Sequence, residues 1–422
     1  MSKNNLINLY CFDQEIGRLS YDENRSASFF QYNPAFLELG LFTNLFPLII
    51  KRIRQTQVFD KYNNGTFRGL PPMIADSLPD LFGNIIFKAW IESTNRQFEK
   101  VSVLEQLAYV GKRGMGALEY LPSKELGATD SIDISEITEV VRQVLNNKTG
   151  TNASSLDHAS LLNIFKIGTS AGGMRPKILI SEHVSTGEII PGDLVTSADY
   201  NHYLIKLDLE QSTYSREMIE YSYYLAATMA GIVMMPSKMI EGRHFATVRF
   251  DRQQGKKRHA LTATGIAGLD YNDPKVSNYE QLFDLALFLK VPHRDMEQLF
   301  RRMVFNLVFA NHDDHLKNHA FIYDEEEDSW QLAPAYDLTY SLNPEINFKT
   351  RSRALSVNGK RIAITIDDLL IIADNYTIKN PKKIISEVND VKDSWVGIAK
   401  ELAIPEHIIN TMIKNFWEVP FQ

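Results

Sequence analysis

A run of eight residues, Asn311-His312-Asp313-Asp314-His315-Leu316-Lys317-Asn318, carries seven polar or charged side chains. A packed core has no use for such a run, so the first expectation is a loop that presents it. Asp313 and Asn318 are five positions apart, and a further acidic residue, Asp337, follows a stretch that reads as a hairpin. Loop aspartate, asparagine, hairpin, aspartate is the order that phosphoryl transfer needs. One carboxylate accepts the proton of the attacking hydroxyl, while the asparagine and the second aspartate hold Mg²⁺ on nucleotide phosphates. These donors are hard oxygens, which magnesium prefers. His312, His315 and His319 raise a zinc or iron alternative, but their spacing departs from the zinc motifs and no cysteine is near. A polar surface loop whose histidines cap helices is the plain alternative, and the hairpin with Asp337 weighs against it.

Three further features could serve the same nucleotide. Gly168-Thr169-Ser170-Ala171-Gly172-Gly173-Met174-Arg175-Pro176-Lys177 is rich in small residues that let a backbone approach phosphate, with successive N–H groups forming an anion nest and Lys177 a cation at the exit. It is not a Walker A loop, and a turn that merely joins two strands would look the same. Lys206 stands alone among apolar neighbours in Tyr203-Leu204-Ile205-Lys206-Leu207. Burying it is costly without an anionic partner. Glu220 on the helix that follows could orient it, Glu217 is the alternative partner, and a solvent-facing lysine on an alternating strand is the remaining option. Val248-Arg249-Phe250-Asp251-Arg252 leaves a strand, where backbone groups could read an adenine edge and Phe250 give apolar contact. It could equally be an ordinary strand end with a surface ion pair. The patch Lys256-Lys257-Arg258-His259 reads as a solvated turn.

These residues need elements to hold them. Residues 7–32 alternate apolar and polar around turn signals and predict a small antiparallel sheet. Helical patterns follow at 84–95, 99–109 and 134–146, and the polar stretch 146–152 is the best linker. Asn163–Ile167, Lys177–Ser181, Tyr203–Leu207 and Phe245–Phe250 read as strands. Ser215–Ala230 reads as a helix stopped by Gly231. Asp295–Ala310 places Leu299, Met303, Leu307 and Ala310 on one helical face. A hairpin of His319–Tyr323 and Trp330–Leu332 follows, and the last 55 residues or so read as helices. The layout is a front module, a strand-rich lobe and a helical lobe.

Composition bounds the rest. The 422 residues are 44% hydrophobic and 23% charged, which excludes a disordered, collagenous or coiled-coil chain. With 45 basic and 52 acidic residues the formal charge is −7, so no global basic field draws nucleic acid. The single cysteine, Cys11, excludes an internal disulfide framework and suits a reducing cytosol. No targeting segment is visible at the start. The apolar stretch Leu39–Ile50, broken by Thr43, Asn44 and Pro47, falls short of the roughly 20 residues a membrane span takes. The expected location is cytoplasmic.

Taken together, the motifs resemble those of the HipA family, the serine/threonine kinase toxins of bacterial type II toxin–antitoxin pairs, over nearly the whole chain. The front module is similar at Phe67-Arg68-Gly69-Leu70-Pro71-Pro72 and Asp76-Ser77-Leu78-Pro79-Asp80. The run Thr169–Lys177 is similar to the family's phosphate loop, Asn311–Asn318 to its catalytic signature, and Ala335-Tyr336-Asp337-Leu338-Thr339 to its metal-binding segment. The resemblance implies an α+β, two-lobed, protein-kinase-like fold related to phosphatidylinositol kinases, with an added N-terminal α/β subdomain. Residues 1–150 would be that subdomain and linker, 151–253 the N-lobe with its phosphate loop, and 254–422 the helical C-lobe.

By the same resemblance Asp313 is the catalytic base, Asn318 and Asp337 bind Mg²⁺, and His315 lies beside the phosphates. Ser170, Ala171, Gly172, Gly173, Met174, Arg175, Lys177, Lys206 and Glu220 belong to the ATP site, with Val248, Arg249 and Phe250 as the adenine hinge. Several relatives carry an acidic residue where this chain has Val248, which leaves the adenine contact to the backbone. Ser170 aligns with an autophosphorylated serine, and Thr169 is a second acceptor next door. The implied cofactors are ATP and Mg²⁺. The implied partners are a small helix-turn-helix antitoxin, operator DNA only through it, and a protein substrate such as an aminoacyl-tRNA synthetase or another translation component. A small-molecule phosphotransferase of the aminoglycoside kind and a degenerate kinase acting as corepressor scaffold are the alternatives.

Overall fold

The computed structural model describes residues 6–124, 133–147, 158–168, 175–192, 197–210, 212, 214–341 and 352–417. It divides into two compact units, one of residues 1–210 with 246–260 and the other of residues 211–245 with 261–422. The front module and the strand-rich segment thus share one unit.

In the first unit, a five-stranded antiparallel sheet runs in the order Gln57–Val58, Ala27–Tyr32, Gln14–Asp22, Leu6–Cys11, Glu119–Leu121. Period-two alternation buries Ile7, Leu9 and Cys11 on one face of the Leu6–Cys11 strand. Phe12 and Asp13 both take positive φ in the two-residue turn between this strand and the next, which matches the twist of the paired strands. Helices Leu81–Ser93, Val103–Val110, Ile134–Asn147 and His158–Gly168 complete the front half. Phe165 stacks on Trp90 at 4.3 Å and Phe87 and Tyr109 close around them.

The strand expected at Asn163–Ile167 is instead part of the helix His158–Gly168. A short apolar run cannot be told from a buried helical segment by periodicity alone, and here Leu161, Ile164, Phe165 and Ile167 are buried at helical spacing. A second sheet orders Ile189–Pro191, Lys177–His183, Tyr200–Lys206 and the 246–248 end of the strand His244–Val248.

The second unit is mainly helical. Arg216–Met229 is capped by the Ser215 side chain on the Met218 N–H, and Gly231 lies just past its end with φ 74°. It packs with His293–Val308 and Pro381–Glu401 around Tyr223, Phe305, Phe309 and Trp395. The polar atoms in that core are paired: Tyr223 donates to the Phe309 carbonyl at 2.6 Å and Trp395 Nε1 to Ser222 Oγ at 3.0 Å. The expected hairpin is present as Ala320–Asp324 and Ser329–Leu332, with Tyr323 opposite Trp330. The chain closes with Ile366–Asn375, Pro381–Glu401 and Glu406–Asn415. Among the described residues, no helix is long and apolar enough to cross a membrane.

Candidate active site

The helix His293–Val308 delivers the polar loop. Beyond it Ala310 takes φ 52°, its N–H returns to the Leu307 carbonyl, and the Asn311 N–H reaches the Asn306 carbonyl at 2.9 Å. This is a Schellman ending with alanine at the left-handed position that glycine usually fills. An L-residue there costs about 1 kcal/mol, so the turn is held by the hydrogen bonds of the loop beyond it. Asn311 Nδ2 donates to Asn306 Oδ1 at 3.0 Å and to the Asp337 carbonyl at 3.4 Å, and Asn311 Oδ1 accepts the Asp313 N–H at 3.4 Å. Ser341 Oγ accepts the His312 N–H at 2.7 Å. The loop and the Asp337 segment are joined again where the Tyr336 hydroxyl donates to the Lys317 carbonyl at 2.7 Å.

Within this frame the two adjacent aspartates differ completely. The Asp313 side chain is 69% exposed, with His315 Nε2 at 4.0 Å from its Oδ1. Asn318 Nδ2 donates to the Asp313 backbone carbonyl at 2.8 Å, so Asp313 and Asn318 are tied together and the amide oxygen is the end left for a cation. Asp337 adopts φ 54°, a conformation that Asp tolerates better than most residues and that recurs where strain serves a site. Magnesium is commonly held by one or two carboxylates plus phosphate oxygens. The oxygens of Asp337 and Asn318 suit that requirement, and the bonds of Asn318 to the Asp313 carbonyl and of Asn311 to the Asp337 carbonyl tie their segments to one loop.

Asp314, in contrast, is buried beside Arg353, Tyr279 and the Leu355 N–H. Burial pushes its carboxyl up, but the Arg353 charge and hydrogen bond, with the Tyr279 hydroxyl, hold it below the ordinary value. His319 is fully buried edge-on to Tyr279 at 5.9 Å. Burial, and then the Arg302 charge, lower its pKa to about 4, so it is uncharged near neutrality. His315 leans on Tyr271 at 4.9 Å, and its position at the start of the turn Leu316–Asn318 brings no side-chain cap. Among the described residues, no three His, Cys, Asp or Glu side chains gather into a metal cluster.

The remaining candidates divide between the units. Glu220 and Glu217 are both buried on Arg216–Met229 in the second. In the first, Lys177 and Lys206 are opposite residues of an antiparallel pair, each at most 5% exposed. Directly opposed side chains share a face with Cβ atoms about 5 Å apart, so the pair brings two lysines to one face. Thr169, Ser170, Ala171, Gly172, Gly173 and Met174 lie outside the described residues; Arg175 is half-buried at their exit.

At the expected hinge, Val248 and Phe250 are half-buried, but Arg249 is committed. Its N–H donates to the His202 carbonyl at 2.8 Å, and its guanidinium grips Asp251 with two bonds of 2.9 and 2.8 Å. The surface ion pair that was the alternative to a hinge is therefore not present as such: the pair is buried, Asp251 being 0% exposed. The basic patch is also only partly solvated. Lys256 is exposed, whereas Lys257 pairs with Glu119 at 2.6 Å and His259 is buried. Sequence reasoning missed Asp314, Arg353, Tyr279 and Asn306. The doubled Asp313-Asp314 was the available signal, since one loop rarely needs two exposed carboxylates side by side.

Comparison with known proteins agrees with this layout. Residues 169–396 match the model of the HipA-like C-terminal domain and residues 7–121 that of the HipA N-terminal domain. A Sinorhizobium fredii protein named "Putative kinase Y4dM" is 29% identical over 179 residues, 41% of this chain and 43% of its own length. A Haemophilus influenzae protein named "Putative kinase" is 26% identical over 198 residues, 41% and 57%. The chain thus spans about half the length of the curated relatives it matches. HipA of Shewanella oneidensis, solved with HipB and operator DNA, superposes with a TM-score of 0.64 at 17% identity, covering 97% of this chain and 96% of that one. That likeness is one of fold, and the fold class is the expected mixed α/β kinase-like one. One domain model accounts for more than half of the sequence and the other for most of what is left, and the chain belongs to the HipA family.

Proposed function

We propose that this chain is a Mg²⁺- and ATP-dependent protein serine/threonine kinase, the toxin of a type II toxin–antitoxin pair. The observation that carries the reading is the Asn318 side chain bonded to the Asp313 carbonyl at 2.8 Å, with Asn311 and Tyr336 tying the Asp337 segment to the same loop. Base and metal donors then come as one preassembled piece, as phosphoryl transfer by positioning requires. Asp313 accepts the proton of the substrate hydroxyl. Asn318 and Asp337 would hold the magnesium, which would supply charge neutralisation on the phosphates, and His315 would serve the same phosphates. Lys177, Lys206 and Arg175 add positive charge, and residues 248–250 receive the adenine.

The target is a cytosolic translation component, an aminoacyl-tRNA synthetase in the first instance. The antitoxin is a small helix-turn-helix protein that brings the operator DNA and the positive charge this chain lacks. Incubating the purified chain with γ-labelled ATP and a cell lysate tests the reading. Label on protein bands is the expected result. Label confined to metabolites would make it a small-molecule phosphotransferase, and no label at all a scaffold.

The same reading sets two further expectations. Replacing Lys206 with methionine removes half of the cationic pair and is expected to raise the KM for ATP about tenfold, the worth of one charge-assisted contact; steady-state kinetics at varied ATP would show it. Phosphate on Ser170, or on Thr169, adds nearly two negative charges within a phosphate-binding loop. Ser170→Asp is accordingly expected to bind ATP at least tenfold more weakly by calorimetry, and unchanged binding would end the idea of self-inactivation.

A further inference from the structure

Asp314 has no part in the chemistry assigned above, yet its side chain is wholly buried and held by three donors. The Tyr279 hydroxyl reaches Oδ2 at 2.7 Å, Arg353 Nη2 reaches the same oxygen at 2.6 Å, and the Leu355 N–H reaches Oδ1 at 3.3 Å. Arg353 Nη2 also donates to the Asn311 carbonyl at 3.1 Å, and the Ala354 N–H to the His312 carbonyl at 2.8 Å. Residues 353–355 therefore grip the loop at 311, 312 and 314, on both sides of Asp313. On the opposite flank Asn306 Nδ2 donates to the Tyr279 hydroxyl at 3.0 Å and Asn306 Oδ1 accepts from Asn311, which ties the grip to the helix His293–Val308.

A carboxylate shut from solvent and saturated with donors does not take a proton from a substrate. It can fix the backbone from which its exposed neighbour does. The Asp313 side chain is largely exposed, while its backbone is bonded to Asn311 and Asn318. Where that backbone stands decides where the carboxylate stands. A network of this kind is stiff when every member is satisfied, and it fails as a unit when one charge is removed.

We propose that Asp314 is a positioning residue: clamped by Arg353 and Tyr279, it sets the geometry that Asp313 and Asn318 present. This rests on the assignment of Asp313 as the base. The competing account is an ion pair that stabilises the unit and does nothing more.

The test uses the full chain and four variants, Asp314→Asn, Tyr279→Phe, Arg353→Lys and Arg353→Met. Displacing a catalytic group by about 1 Å costs on the order of 100-fold. Asp314→Asn and Arg353→Met are therefore expected to lose about that much kcat with the KM for ATP within about twofold. Arg353→Lys, which keeps the cation, should recover most of the loss. Tyr279→Phe, which keeps the packing, should lose severalfold. Amide hydrogen exchange in residues 312–318 should rise in Asp314→Asn and Tyr279→Phe while the hairpin 320–332 stays protected.

An unchanged kcat in folded Asp314→Asn would overturn the proposal. So would exchange that rises equally in loop and hairpin, which is the mark of a purely structural pair. If the wild-type chain and Asp313→Ala were equally inactive, the base assignment would fall. The exchange measurement would then decide the clamp alone, and an undisturbed loop in Asp314→Asn would refute it.

Discussion

Asp313→Ala is expected to lower phosphoryl transfer by about 10³-fold, within the range that general-base groups supply, with ATP binding and thermal stability near wild type. The reasoning rests on a division of labour inside one residue. The backbone of Asp313 does the structural work, its carbonyl accepting from Asn318 and its N–H donating to Asn311. The carboxylate is 69% exposed and lies 4.0 Å from His315 Nε2, a contact worth little in solvent. Alanine keeps the backbone contacts and removes the carboxylate. Surface truncations of this kind shift stability by about 0.5 kcal/mol or less. Kinetic loss without loss of fold is the signature. In cells, the wild-type chain should arrest growth and the alanine variant should not. A variant that transferred phosphate at the wild-type rate, or that arrested growth equally, would remove Asp313 from the chemistry. Asn318→Ala is a different case, because it deletes the loop tie together with the oxygen donor, and its loss of activity would not separate the two roles.

The contrast between neighbouring residues also shows what a sequence can and cannot disclose. The order of helix, polar loop and hairpin was legible because each part is local. The helix announces itself through Leu299, Met303 and Leu307, the hairpin through alternation about an acidic turn, and the loop through polarity that no core could absorb. Helix caps were equally local, as Ser215 and Gly231 show. The role of Asp314 was not legible, because its counter-ion Arg353 is 39 residues away and lies on an irregular segment without a periodic pattern. The partners of segment 249–252 were hidden in the same way. Read alone, Arg-Phe-Asp-Arg offers a hinge or a surface ion pair; closed against Gly114 and Gly116, more than a hundred residues earlier, its charges form a buried knot. Asn163–Ile167 was misread for a different reason. Five apolar-rich residues fit a buried strand and a buried helix alike, and only the aromatic cage of Phe87, Trp90 and Tyr109 around Phe165 selects the helix. Local patterns thus disclosed the elements and the polar loop, and long-range closure supplied what holds them.

That knot yields the largest expected effect on stability. Asp251 accepts two bonds from Arg249, one of 2.8 Å from Arg252 Nη1 and one of 2.7 Å from the Gly116 N–H, all within the first unit. Arg252 continues to the carbonyls of Gly116 and Gly114 at 3.0 and 2.9 Å. Gly116 has φ 74°, and a Cβ there would sit 2.9 Å from the Ala260 carbonyl, so the approach demands glycine. Asp251→Ala would leave two buried guanidinium groups without their anion, a change that costs about 3–5 kcal/mol. Urea denaturation at neutral pH should show that loss as a lower midpoint, and a midpoint within error of wild type would mean that the knot is not buried as described.

The pH dependence carries a second check on the same group. Burial alone would raise the Asp251 carboxyl, but the charges of Arg249 and Arg252 and the hydrogen bonds hold it well below the usual carboxylate range. An unfolded aspartate titrates near pH ~3.9. A depressed folded value means that the unfolded chain binds the proton more readily. The contribution of Asp251 is therefore complete above pH ~4 and drains away only as the pH falls further toward the folded value. The gap in stability between wild type and Asp251→Asn should accordingly be widest near neutrality, constant down to about pH 5, and narrow steeply below pH ~4. A gap that narrowed between pH 7 and 5 would point to a histidine instead, and would place the stabilising charge somewhere other than this carboxylate.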